Sequence, residues 1–204
     1  MPKLNLRNKV PSNIIRTIFN KDLQILKDEA RQPQVRVQNI SWPSEASVQI
    51  DGITIGECRR ALFYRIIGVK ETDPMTLIGQ GICDAGNLYE KYHIDKFKKH
   101  GIFLDEQVAV EFLIPNSRNS IQIRGRIDCI VQNEDGSRDA LELKSISEYK
   151  AAKIIDGVTP LPAAHNLMQA MLYKYYLSQT EQGKQLHVDN VYLMYINRSN
   201  GMTF

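Results

Sequence analysis

Asp128, Glu142 and Lys144 are the residues of this 204-residue chain whose types and spacing could do chemistry together. Asp128 ends the run Gly125-Arg126-Ile127-Asp128, and Glu142-Leu143-Lys144 follows fourteen residues later. Hard divalent cations such as magnesium or manganese take oxygen ligands, commonly one or two carboxylates completed by substrate phosphate and water. A lysine beside such an ion can orient or help deprotonate an attacking water, or stabilise the charge of a pentacovalent phosphorus. The trio therefore predicts a site for metal-assisted hydrolysis of a phosphodiester. The plainer alternative is a surface hairpin with a solvated Asp and a Glu/Lys pair.

Which alternative holds depends on where these side chains point. Ser120 to Val131 and Arg138 to Ile146 are rich in Ile, Val and Leu and read as strands, joined by the turn signal Asn133-Glu134-Asp135-Gly136-Ser137. A two-residue turn at Asp135-Gly136 would place Asp128 opposite Leu143, on the wrong face. A three-residue loop, Glu134 to Gly136 with Gly136 left-handed, places it opposite Glu142. Directly opposed residues share a face, and Lys144 lies on that face too, about 7 Å along the strand from Glu142. The three-residue loop, or an equivalent bulge, is therefore predicted, with Leu141 and Leu143 pointing to the core.

From Ala163 to Gln182 the apolar residues recur at helical spacing. His165, Gln169 and Tyr173 stand four apart on one stripe. Asp, then Glu-x-Lys, then Gln-x-x-x-Tyr on the next helix resembles the RecB-like branch of the PD-(D/E)xK nuclease superfamily. That branch also has a glycine followed four residues later by His or Glu on an upstream helix, and Gly86 and Glu90 match it. The resemblance covers about residues 55 to 198. It implies Asp128, Glu142 and Glu90 as ligands of Mg2+ or Mn2+, with one or two ions compatible, and Lys144 as the lysine that positions water. Gln169 is expected to orient Lys144 or a water, and Tyr173 to meet substrate. His93, one turn beyond Glu90, is a reserve ligand. His165 could touch a phosphate or serve the helix start.

Ile55 to Tyr64, containing Cys58, is similar to the segment that gives the first iron-sulfur cysteine in RecB-like nucleases of CRISPR adaptation and related phage proteins. Those proteins supply three more cysteines after the core. This chain has three cysteines in all, Cys58, Cys83 and Cys129, and no Cys-x-x-Cys pair. Four-thiolate ligation would need cysteines beyond residue 204. Without a cluster, Cys58 is expected as a buried small hydrophobe. Ser199-Asn200-Gly201 reads as a turn with Met202-Thr203-Phe204 starting a return strand, which suggests that a C-terminal segment is missing.

Bulk properties fit an intracellular nucleic-acid enzyme. Lys and Arg number 26 against 23 acids, for a net charge of +3, so the mild basicity does not demand strong nonspecific binding. The cations cluster at Arg59, Arg60 and Arg65, at Lys96, Lys98 and Lys99, and at Arg124 and Arg126 on the strand of Asp128. Alternation puts Arg124, Arg126 and Asp128 on one face, where the arginines could line a phosphate track. For Arg126 an ion pair with a nearby acid is the favoured reading. An odd cysteine count without a spacing pattern points to a reducing compartment. The N-terminus lacks an apolar signal core, and no apolar run is long enough to span a membrane.

Further elements read as a helix from Asn13 to about Ala30 capped by Ser12, an arm from Gln32 to Pro43, and a small hairpin from Val48 to Ile55. Helices follow at Glu57 to Ile67 and Gly79 to Lys99, then a strand at Val108 to Ile114. A short helix at Ser147 to Ile155 and a strand at Val188 to Ile196 complete the chain. The whole predicts an α/β restriction-endonuclease-like fold, a mixed central sheet flanked by helices, with an N-terminal helical extension. Residues 1–45 would form the N-terminal helix and arm, for dimerisation or partner docking, and 46–204 the nuclease core. The expected activity is metal-dependent DNA hydrolysis, by analogy as an exonuclease on single strands or ends. A non-catalytic DNA-binding module and an RNA-cleaving enzyme are the alternatives.

Overall fold

The computed structural model describes residues 38–50, 52–70, 76–114, 121–158 and 163–204, with Lys21 besides. The Asn13 to Ala30 helix and the role suggested for it lie outside the described residues. The strands are β1 (Ile40–Ser41), β2 (Ser47–Ile50), β3 (Ile53–Gly56), β4 (Phe103–Leu113), β5 (Gln122–Gln132), β6 (Arg138–Ile146) and β7 (Asn190–Asn197). The helices are α1 (Arg59–Ile66), α2 (Leu77–Lys99), α3 (Glu148–Ile155), α4 (Ala164–Gln179) and α5 (Glu181–Lys184).

Local chemistry sets the helix ends. Thr76 Oγ1 accepts from Gly79 N at 3.1 Å to cap α2, and Ser147 Oγ accepts from Lys150 N at 3.4 Å to cap α3. Lys96, Lys98 and Lys99 fill the last turn of α2, where the helix dipole favours cations, and Gly101 follows at φ 73°. No helix among the described residues is long and apolar enough to cross a membrane.

β4, β5, β6 and β7 with β1 form one mixed sheet, while β2 and β3 pair as a separate antiparallel hairpin. β4 runs antiparallel along β5, β6 antiparallel to β5, and β7 parallel to β6. Helices cover both faces. Tyr173, Tyr176 and Leu177 of α4 pack with Val110, Ile127, Ile130 and Ala140. On the other face Tyr89, Ile94 and Phe97 of α2 pack with Cys129, Val131, Leu143 and Ile196.

The register expected for the β5–β6 hairpin is the one observed. Cys129 pairs with Leu141 and Ile130 with Ala140, Asn133 and Ser137 close the loop, and Gly136 is left-handed at φ 86°. β5 then forks. β4 occupies one edge of β5 from Gln122 to Val131, while the other edge is shared by β1, parallel at Gln122 and Ile123, and by β6 from Cys129 onward. Between those partners, residues 124–128 have no strand on that edge among the described residues. Leu143 N donates there to Asp128 Oδ2 at 2.7 Å, so a side chain replaces the next rung of the ladder.

Three local readings need correction. β4 starts at Phe103, not Val108, because the polar run Asp105-Glu106-Gln107 hides an extended segment interrupted by Gln107 at φ 53°. Strict alternation fails at Asp128, which stands opposite Gln107. Ile127 and Ile130 both face α4, whereas Cys129 and Val131 face α2. The arm is also tied in: Ile40–Ser41 joins the sheet, and Pro43 is buried in a 3-10 turn over Gly125. The return strand expected at the chain's end is reduced to an isolated antiparallel bridge between Ile196 and Thr203, with Tyr195 and Phe204 exchanging backbone hydrogen bonds at 3.0 and 3.1 Å.

Candidate active site

The fork in β5 is a cleft of about 550 Å3, and Asp128, Glu142, Lys144, Gln169 and Tyr173 all line it. β6 carries Glu142 and Lys144 on the face covered by α4, so Glu142 is only 1% exposed, which excludes the solvated-hairpin alternative. Its Oε1 accepts from Gln169 Nε2 at 2.6 Å and from Lys144 Nζ at 2.5 Å. Its Oε2 is buried with no hydrogen-bond partner among the described residues. Burial, and then the charge of Asp128, push the Glu142 carboxyl up to about 8. Burial also raises Asp128, against the opposing pull of the Leu143 amide and Lys144.

Glu90, on α2, does not line that cleft, but it stands near enough to Asp128 and Lys144 for their charges to act on its carboxyl. Gly86, one turn earlier, lies against β6, where an added Cβ would meet Ser145 Oγ at 3.5 Å. That is ordinary contact, so the glycine permits close seating without being sterically required. The Glu90 carboxyl is pushed up to about 7 by burial first and by Asp128 second. Its Oε1 accepts from Gln107 Nε2 at 2.7 Å, a partner the sequence reading missed. The left-handed backbone of Gln107 has no sequence signature, since φ above zero is rare in a residue other than Gly, Asn or Asp. No group of three His, Cys, Asp or Glu among the described residues is placed to hold a metal as it stands. Three carboxylates against one lysine, with one buried oxygen unpartnered, are nevertheless an all-oxygen donor set that fits a hard cation.

The remaining predicted residues divide. Gln169 orients Glu142 rather than Lys144, and it also donates to the Tyr173 hydroxyl at 3.2 Å. Tyr173, expected to meet substrate, is 2% exposed, and its hydroxyl donates to the Arg126 carbonyl at 2.7 Å. It holds the open edge of β5 from below. Arg124 and Arg126 both line the cleft, but the ion pair expected for Arg126 is made by Arg124, whose Nε lies 3.3 Å from Glu111 Oε2. Arg126 is exposed and makes no ion pair among the described residues. His165 is exposed at the start of α4, and burial first, then Lys144 and Lys150, lower its pKa. His93 is buried and lines a separate recess with Lys96, Phe97 and His100, so the reserve ligand is not in the cleft. Cys58 is exposed at the N-terminus of α1, not buried, and the backbone amides of Ala61 and Arg60 lower its thiol pKa. Cys83 is exposed, and Cys129 is buried as its strand position implies.

No protein of curated function matches this chain. Among solved structures, one titled "Crystal structure of SSO0001" shares the fold at a TM-score of 0.50 and 17% identity, covering 94% of this chain and 76% of that one. That likeness bears on the architecture alone. The model of the PD-(D/E)XK nuclease superfamily matches residues 70–202. The match takes in the helix of Glu90, the forked hairpin and the helix of Gln169, and the mixed sheet between two helical layers is the restriction-endonuclease-like fold. On that match this chain belongs to the PD-(D/E)XK nuclease superfamily.

Proposed function

We propose that this chain is a metal-dependent DNA nuclease of the RecB-like branch, an exonuclease working on single strands or DNA ends in recombination, repair or phage or CRISPR DNA processing. The observation that carries the reading is Glu142: a carboxylate 1% exposed, with Oε2 unpartnered among the described residues, beside a second acid and a lysine. Burying such charge costs several kcal/mol unless cations meet it, and Lys144 is one cation among three acids. Asp128 and Glu142 would hold Mg2+ or Mn2+, joined by Glu90 once its carboxylate leaves Gln107. Bound there, the ion supplies Lewis acidity toward the scissile phosphate and makes a water more acidic.

The chain's own groups do the rest. Lys144, already fixed on Glu142, presents its ammonium where an attacking water is steered and where charge develops on the phosphate. Gln169 holds the Glu142 carboxylate from the opposite side, and Tyr173 fixes the strand that carries Asp128. Arg126 supplies a phosphate contact. The ordered set of Gly86 and Glu90, Asp128, Glu142 and Lys144, and Gln169 and Tyr173 supports the RecB-like assignment. An odd cysteine count supports an intracellular setting, including a phage-encoded one.

Digestion of end-labelled DNA with Mg2+ or Mn2+ tests the reading, with matched RNA beside it. Cleavage is expected for the wild type and expected to vanish in Asp128→Ala and Lys144→Ala. Equal activity in all three would remove the assignment, binding without cleavage would indicate an assembly module, and faster RNA cleavage would make it a ribonuclease.

A further inference from the structure

We propose that Trp42 is the stacking platform for a nucleobase, so that the fork in β5 takes a single strand with one base laid on the indole and its phosphate on Arg126. This rests on the nuclease reading of the same cleft. A singly exposed apolar side chain is ordinary on a protein surface. Trp42 differs by position: at 39% exposure it lines the same cleft as Asp128 and Glu142.

Its backbone is held on several sides. Trp42 N donates to Glu45 Oε2 at 3.1 Å and its carbonyl accepts from Glu45 N at 2.9 Å. Glu45 is 5% exposed and meets Arg65 Nη1 at 3.4 Å. The next residue, Pro43, rests on Gly125, where an added Cβ would come 2.8 Å from two atoms of the proline ring. That support fixes the backbone carrying the indole beside the cleft, so no chain segment has to be ordered when a base lands on it. Aromatic stacking accepts any base, but only one with a free face. Bases within a duplex have both faces covered, whereas a single strand offers them. Arg126, exposed on the open strand edge, provides the cation that a strand running past Trp42 toward Asp128 meets.

Trp42 is the single tryptophan of the chain, so its own emission reports the contact. The full chain is titrated in EDTA with a fifteen-nucleotide thymidylate strand, the same backbone without bases, and a duplex of equal length. The base-bearing strand is expected to quench emission and to bind the wild type about tenfold more tightly than the abasic one. Trp42→Ala, followed by a label on the DNA, is expected to lose that preference, and Trp42→Phe to keep part of it. Equal binding of thymidylate and abasic strands by the wild type overturns the proposal whatever the variants do. So does a duplex that quenches and binds as well as the single strand. Magnesium-dependent cleavage of the thymidylate strand is scored separately. Base preference without cleavage leaves the platform standing and removes the nuclease reading, and cleavage without base preference does the reverse.

Discussion

Replacing Glu142 by Gln should make the metal-free protein more stable at pH 8, although it removes an ion pair. The native carboxyl is raised from an ordinary 4.5 to about 8, by burial first and Asp128 second. Because the folded-state pKa lies above the unfolded one, the folded state prefers the protonated group. This contribution is fully present below pH 4.5 and is lost as pH rises toward 8. One proton gives a slope of about 1.4 kcal/mol per pH unit, so the interval sets a ceiling of about 5 kcal/mol. Water entry and side-chain relaxation on ionisation return part of this, leaving about 2–3 kcal/mol. Gln fills the same space without charge, so its curve should lack this loss. At pH 8 the variant should melt about 5–10 °C above the wild type, and near pH 5 the two should nearly coincide. Thermal unfolding in EDTA at unit steps from pH 5 to 8 measures this directly. Saturating Mn2+ at pH 8 should then stabilise the wild type and leave the variant little changed. A wild type that melts as high at pH 8 as at pH 5, with a variant that melts lower, would refute the reasoning. Lys144 would then outweigh desolvation, and the carboxylate would sit comfortably ionised.

Gly125→Ala should destabilise by about 1–3 kcal/mol in urea unfolding and weaken DNA binding, because its Cβ would force Pro43 off the strand. Tyr173→Phe should cost about 1–2 kcal/mol, since the Arg126 carbonyl and Gln169 both lose their hydroxyl partner inside the fold. Breaking the exposed Lys184–Glu181 pair by Glu181→Gln should change stability by under about 0.5 kcal/mol, with an unchanged denaturant midpoint as the readout.

Residues that act through local rules could be read in advance. Gly136 announced a left-handed turn residue, and the requirement that Asp128 and Glu142 share a face chose the three-residue loop over the two-residue turn, which is the register observed. The four-residue spacing of Gln169 and Tyr173 likewise put both under the sheet, where they meet Glu142 and Arg126. What could not be read depends on partners far along the chain. The arm's seat on Gly125 joins residues more than eighty positions apart, and neither end is unusual by itself. The Gln107 conformation, which reverses the alternation at Asp128 and intercepts Glu90, is imposed by its neighbours and not by its own type. Arg124 and Arg126 look interchangeable in sequence, yet only Arg124 has Glu111 across the ladder.

The hairpin loop 134–136 carries none of the proposed chemistry, but it works as a length gauge. Its residues can vary widely in type provided the left-handed position is kept. Its count cannot, because one residue more or fewer would turn Glu142 toward α2 and hand its place to a leucine. Insertions and deletions there should therefore abolish function while point changes pass, making this exposed turn one of the least length-tolerant parts of the molecule.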